Sequence, residues 1–138
     1  MKVLLIEPHK PPYPLEIDGT LAAMKKLVGG TIQAVYPFEE SIALICNDEG
    51  KLLGLPLNRA LYHQETGELY DIIAGMFFLC GAPPDADQFT SLTDSQLEKY
   101  MQYFHTPETF MRLNGQIVAI PEATIHETEN YEKVNGTR

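Results

Sequence analysis

Apolar positions along the chain alternate between short continuous runs and one-faced helical spacing. Val3-Leu4-Leu5-Ile6 is a compact run of strand-favouring residues. Pro8, Pro11, Pro12 and Pro14 then forbid a helix, because each fixes φ and removes a backbone donor, until a second extended piece at residues 15–17. The pair reads as a hairpin with a long, proline-stiffened connection. Next, Asp18 or Thr20 can cap a helix in which Leu21, Met24, Leu27 and Val28 share one face, Lys25 and Lys26 sit in the last turn, and Gly29 is the stop. Residues 31–36 and 41–46 return to β-rich runs, separated by Pro37-Phe38-Glu39-Glu40. The second leads into Asn47-Asp48-Glu49-Gly50, a tight-turn composition, and out through Lys51-Leu52-Leu53.

Residues 56–61 read as a short helix with Pro56 in its first turn, and residues 64–68 as a polar loop. Residues 70–80 are the most apolar stretch, and Met76-Phe77-Phe78-Leu79-Cys80 reads as a buried strand central to the core. Ala82-Pro83-Pro84-Asp85-Ala86-Asp87 closes that unit. Thr93-Asp94-Ser95-Gln96 is a capping box, Leu92 and Leu97 occupy the positions of a hydrophobic staple, and Leu97, Tyr100, Met101 and Phe104 follow helical spacing. A helix over residues 94–104 follows, stopped before Pro107. Residues 116–120 add a strand after the Asn114-Gly115 turn, and from His126 the chain is polar, acidic and aperiodic, which predicts a frayed tail over 126–138.

The early strands are too closely spaced for parallel crossovers, so the expected fold is α+β. It comprises a mixed, mostly antiparallel sheet with one helix packed on it in a β-grasp-like arrangement, plus a C-terminal amphipathic helix. Residues 1–82 form the core of this reading, and 83–125 an extension packed on the same domain.

A chain of 138 residues, 44% of them hydrophobic, buries roughly two-thirds of its unfolded surface, so it needs no metal or disulfide to fold. No apolar run approaches the roughly 20 residues of a membrane span, and the opening run is too short for a secretory core, so the cytoplasm is the expected compartment. Charge narrows function further. Residues 1–60 hold six basic and seven acidic side chains, whereas residues 61–138 hold four and twelve. With no basic cluster larger than Lys25-Lys26, direct binding of nucleic acid or of an anionic membrane is disfavoured. The acidity is either a solvated, solubilising face or a surface for a basic partner.

Catalytic and cofactor chemistry finds little purchase. Cys46 and Cys80 end apolar runs and read as buried structural thiols, and the histidines His9, His63, His105 and His126 lack ligand spacing, so neither metal nor other cofactor is expected. Gly29-Gly30 follows a helix instead of opening one, Gly50-Lys51 lacks a phosphate-loop context, and Asn47-Asp48-Glu49-Gly50 lacks calcium-loop alternation. Asp48, Glu49 and Arg59, with Asn58 beside them, are close enough in sequence for a turn carboxylate to meet the guanidinium, either as an active-site patch or as an ion pair steadying the turn. Tyr103 is the one aromatic residue of the second helix expected outside its core stripe.

Several segments taken together resemble a known family. They are Met1-Lys2-Val3-Leu4-Leu5-Ile6-Glu7, Leu27-Val28-Gly29-Gly30, Ala34-Val35-Tyr36-Pro37, Cys46-Asn47-Asp48-Glu49-Gly50-Lys51, Leu55-Pro56-Leu57-Asn58-Arg59-Ala60 and Asp71-Ile72-Ile73-Ala74-Gly75. Over residues 1–82 they are similar to the domain-of-unknown-function 3846 family. The resemblance implies context: proteins of phages, plasmids and conjugative elements of Firmicutes, often near antirestriction genes, among them inhibitors of host CRISPR nucleases. It carries over no catalytic residues. The expectation is a non-enzymatic mobile-element protein that binds another protein, with a basic host defence nuclease as the partner. Asp48, Glu49, Asn58, Arg59, Asp94, Glu98 and Tyr103 are the candidate binding residues. A small enzyme with an unrecognised polar site, or a regulatory or structural module of the element, are the alternatives; oligomeric state is not legible. Wholesale DNA mimicry is too demanding. A compact chain of this size is about 37 Å across, a length of duplex carrying about 22 phosphate charges. Its 19 carboxylates, offset by ten cations, could imitate DNA only locally, with residues 85–132 as the expected region.

Overall fold

The proline-rich connection does join two paired strands. In the computed structural model, which describes residues 1–122, β1 (Lys2–Ile6) pairs antiparallel with β2 (Tyr13–Glu16). Helix α1 (Leu21–Val28) starts where the Thr20 hydroxyl accepts from the Ala23 N–H at 3.2 Å, and ends at Gly29, whose φ of 80° lets its N–H turn back to the Lys25 carbonyl. Strands β3 (Ile32–Val35) and β4 (Ile42–Asn47) follow, then β5 (Leu57–Tyr62), β6 (Leu69–Ala74) and β7 (Phe77–Gly81). Helix α2 (Asp94–Tyr103) and a last hairpin of β8 (Glu108–Leu113) and β9 (Gln116–Pro121) complete the described chain.

The main sheet has the order β2-β1-β7-β4-β3, and every pairing in it is antiparallel. β7 takes its middle because all five of its residues are buried and can be satisfied only with cover on both faces. Alternation sorts those residues. Val3, Leu5, Ala43, Ile45 and Phe78 pack with Met24 and Val28 of α1. Leu4, Ile6, Leu44, Phe77 and Leu79 face Leu97, Tyr100 and Phe104 from the α2 side, together with Leu61 and Ile73 of the small β5–β6 sheet. The fold is therefore α+β with antiparallel sheets, α1 on one face of the main sheet and α2 on the other.

One local expectation is corrected. Residues 56–61 are not a helix: Asn58, Arg59, Ala60 and Leu61 are consecutively buried, and a short helix could not aim them at cover on both sides as β5 does. Lys51-Leu52-Leu53, the exit from the tight-turn segment, continues as turn. Its backbone closes on itself, Leu53 N–H to Glu49 O and Gly54 N–H to Lys51 O, leaving Leu52 86% exposed. Within the apolar stretch 70–80 the buried strand expected at 76–80 is β7, and Gly75, whose φ of 83° and approach to Leu55 exclude a side chain, divides it from β6. β8 adds a strand to the one expected at 116–120; the two meet across Asn114 and Gly115, both with positive φ. The tail expected over 126–138, with residues 123–125, lies outside the described residues.

The capping box at α2 is present in both directions: the Thr93 hydroxyl accepts from the Gln96 N–H at 3.1 Å and the Gln96 side chain accepts from the Thr93 N–H at 3.0 Å. Among the described residues no helix is long and apolar enough to cross a membrane. Thr93→Ala is expected to destabilise the protein by about 1 kcal/mol, lowering Tm by about 4 °C in a circular-dichroism melt, whereas Ser95→Ala is expected to leave it within about 1 °C.

Candidate functional site

Arg59 and Asn58 are interior residues, at 2% and 0% exposure. The guanidinium does not meet Asp48 or Glu49. Its five N–H donors instead make five hydrogen bonds: two to the Phe104 carbonyl (3.3 and 3.0 Å), one to the Lys10 carbonyl (2.7 Å), and two to Asn58, at Oδ1 (2.9 Å) and at the main-chain carbonyl (3.3 Å). Asn58 in turn donates to the Ile6 and Gly75 carbonyls at 2.9 and 2.8 Å. α2 has no basic residue in its last turn, so Arg59 supplies from β5 the cation that the C-terminal end of a helix favours. Burial lowers the Arg59 pKa, and the Glu108 and Glu122 carboxylates oppose that shift. Glu108 itself accepts from the Ala60 N–H at 2.8 Å, and desolvation raises its pKa against the pull of that N–H and of Arg59. The expected ion pair of Arg59 with the turn is thus replaced by a structural tie among five segments.

Asp48 and Glu49 are exposed on a turn held by Asn47, whose side chain accepts from the Glu49 N–H at 2.8 Å and donates to the Val28 carbonyl at 3.2 Å. The recess beside them holds about 120 Å³ and includes the Lys51–Asp71 ion pair at 2.6 Å. That is small against the roughly 300 Å³ at which ligand clefts begin. Cys46 lines it as a buried free thiol pushed up to about 11, mainly by desolvation and then by the Asp71 and Asp48 carboxylates. It is therefore protonated near neutrality and poorly placed to act as a nucleophile. Burial pushes Cys80 up to about 12.

α2 separates the remaining predicted residues. Asp94 and Glu98 border a groove with Pro12, Pro14, Leu97 and Met101, whereas Tyr103 lies on the other side, against the β3–β4 loop. On that side Phe38 plugs an aromatic cluster, its ring centroid 4.7 Å from Tyr100, 5.5 Å from Tyr103 and 6.1 Å from Phe104. Glu40 fixes the same loop by accepting from Lys99 Nζ at 2.6 Å and from the Tyr100 hydroxyl at 2.7 Å. These contacts lower the Glu40 pKa, the Lys99 bond contributing most, and burial with the Glu40 contact raises that of Tyr100.

Next to this cluster a cleft of about 480 Å³ opens between the β3–β4 and β5–β6 loops. Tyr36, Phe38, Tyr62, His63 and Tyr70 contribute its rings, and Glu39, Glu65 and Glu68 its carboxylates; among the described residues neither lysine nor arginine lines it. Among the described residues those three glutamates make no ion pair. Tyr36 and Tyr70 are 60% and 45% exposed in this cleft, and Tyr103 is 45% exposed in the adjoining recess. None of the sequence-predicted residues lines this cleft; Tyr103 lines the adjoining recess with Glu40, Lys99 and Tyr100, which shares Phe38, Glu39 and Gln64 with it. The lining of the cleft is legible in the sequence as Tyr36-Pro37-Phe38-Glu39 and as residues 62–70, two segments that each carry both aromatic rings and carboxylates.

Arg59→Met is expected to cost about 3 kcal/mol in urea denaturation, because it strands the Phe104 and Lys10 carbonyls and Asn58. The Glu40 contacts give a pH dependence. With the folded-state pKa below the ordinary carboxylate value, the unfolded chain binds the extra proton in that window, so the stabilisation is present above the ordinary value and is lost as pH falls through the lowered one. The stability difference between wild type and Glu40→Gln is expected to shrink between about pH 7 and about pH 3, measured by urea denaturation across the range.

No curated protein and no solved structure matches the chain. A family model, the domain of unknown function (DUF3846), matches residues 1–105. The match extends past the 1–82 segments and takes in α2, whose Phe104 carbonyl holds the Arg59 guanidinium. The chain belongs to the DUF3846 family.

Proposed function

We propose that this protein acts by binding a basic protein through the acidic aromatic groove of the β3–β4 loop, the β5–β6 loop and Tyr103, and that the partner is a host defence nuclease. The observation carrying the first part is the coincidence, in one cleft, of the exposed Tyr36 and Tyr70 with three glutamates that make no ion pair among the described residues, the exposed Tyr103 standing in the adjoining recess. Exposed Tyr supplies large contact area at low entropic cost, and tyrosine is enriched at the centres of protein interfaces. Unneutralised carboxylates speed the approach of a cationic partner and repel nucleic acid. The second part is supported by the sequence resemblance to mobile-element proteins, and by the fact that a nuclease carries a cationic groove for phosphates. In this reading the imitation of phosphate is local and centred on residues 36–70, outside the 85–132 region expected from charge density alone.

A plasmid-interference assay in a host carrying active restriction and CRISPR systems tests the proposal. Expression of the full chain is expected to restore transformation by at least tenfold. The variant Glu39→Gln/Glu65→Gln/Glu68→Gln/Tyr103→Ala, at equal abundance, is expected to restore none. Equal protection by both, or no protection by the wild type across the host's systems, would contradict it.

A further inference from the structure

The cleft between Tyr36 and Tyr70 has a narrower chemistry than the groove around it. We propose that it is a socket for a guanidinium group, taking a single arginine side chain projected by the partner; this rests on the reading of the groove as a docking face for a basic protein.

Three observations converge on that occupant. The walls are aromatic: Tyr36 and Phe38 of the β3–β4 loop, Tyr62 at the end of β5 and Tyr70 at the start of β6 line a common space of about 480 Å³. A cation held over such ring faces is attracted by their quadrupoles. The rim is anionic, because Glu39, Glu65 and Glu68 line the cleft and, among the described residues, no lysine or arginine lines it to neutralise them. Lys99, the cation on the neighbouring side of the groove, is already engaged at 2.6 Å by Glu40. A phosphate, a carboxylate or a nucleotide would meet three like charges there, and a neutral apolar group would leave the carboxylates without gain.

The socket is also formed in advance. The β5–β6 loop is closed by the His63 N–H to the Glu68 carbonyl at 2.8 Å, by the Gly67 N–H to the His63 carbonyl at 2.9 Å, and by the Glu68 N–H to the Thr66 hydroxyl at 3.2 Å. Gly67 allows that closure with a φ of 74°. Tyr70 is set edge-on against His63 with ring centroids 5.1 Å apart, and Phe38 is wedged into the α2 aromatics. Little ordering is therefore left to be done on binding, which favours a small insert.

Guanidinium is favoured over ammonium on physical grounds. It is planar, so it stacks on a tyrosine ring while its edge forks to a carboxylate, and it is more weakly hydrated, so entering a half-enclosed aromatic space costs it less. Lysine, with a compact and strongly hydrated charge, should occupy the same space more weakly. Both are cations, and only the shape and hydration of the group separate them.

The test is a ¹H–¹⁵N titration of the full chain with three capped tripeptides, acetyl-Gly-X-Gly-amide, in which X is arginine, lysine or norleucine. The arginine peptide is expected to give saturable shifts confined to residues 36–39 and 62–70, the lysine peptide to bind about fivefold more weakly, and the norleucine peptide to give no saturable shift. Tyr36→Ala/Tyr70→Ala and Glu65→Gln/Glu68→Gln are each expected to weaken arginine binding by about fivefold or more while amides of the main sheet keep their positions. Two variants are used because either could disturb the loop; retention of the main-sheet spectrum in one of them is sufficient. Shifts that never saturate, that scatter over the acidic surface, that are equal for arginine and lysine, or that persist in both variants would overturn the socket. A captured basic partner whose binding needs Tyr103 but not Tyr36 and Tyr70 would likewise overturn the socket and leave the broader docking face standing.

Discussion

Everything that positions the groove depends on keeping a guanidinium inside the protein without a carboxylate bonded to it. Removing Arg59 from water is costly, and the cost is offset only if all five of its donors find oxygens in the interior, as they do. Those oxygens belong to the β1–β2 connection, the end of α2 and β5 itself, and Asn58 extends the tie to the end of β1 and to the β6–β7 turn. The small β5–β6 sheet is thereby fastened to the main sheet through polar geometry as well as apolar contact. Because a carbonyl is directional and a methyl group is not, the network admits one placement of β5, and hence of the loop that follows it.

That placement decides where the rings and charges lie. Phe104 carries the carbonyl that holds Arg59, and its ring lies beside those of Phe77, Phe38 and Tyr103. One residue therefore joins the interior network to the groove. Glu40 adds a second fastening through Lys99 and Tyr100. The result is a rigid floor under two short loops, a common arrangement for recognition surfaces: secondary structure sets geometry and loops present chemistry.

Local signals in the sequence were read well where one element decided the outcome. The capping box at Thr93, the cap and stop around α1, and the buried run that became β7 each depend on neighbours in sequence, and the α+β class follows from their order. Residues 56–61 were opaque for the opposite reason. Nothing in Pro-Leu-Asn-Arg-Ala-Leu says that its arginine meets a helix end 45 residues away, and an arginine in a short polar segment is ordinarily solvated. The pairing of Arg59 with Asp48 and Glu49 was inferred from sequence proximity alone, and proximity yields to the tertiary demand for carbonyl oxygens. The groove was hidden differently. Its residues stand in the sequence as two segments of rings and carboxylates whose apposition depends on the β5–β6 sheet, whereas Tyr103, legible on a well-defined helix, lines only the adjoining recess.

The central claim is that a rigid acidic aromatic groove, and no other face, is where a cationic partner docks. The most direct measurement is a structure of the full chain bound to a basic nuclease whose activity it is found to block. The account predicts an interface centred on residues 36–39 and 62–70 with Tyr103 at its edge and basic side chains opposite Glu39, Glu65 and Glu68. A partner seated instead on the α1 face, on the β8–β9 hairpin or on the Asp94–Glu98 side of α2 would contradict it.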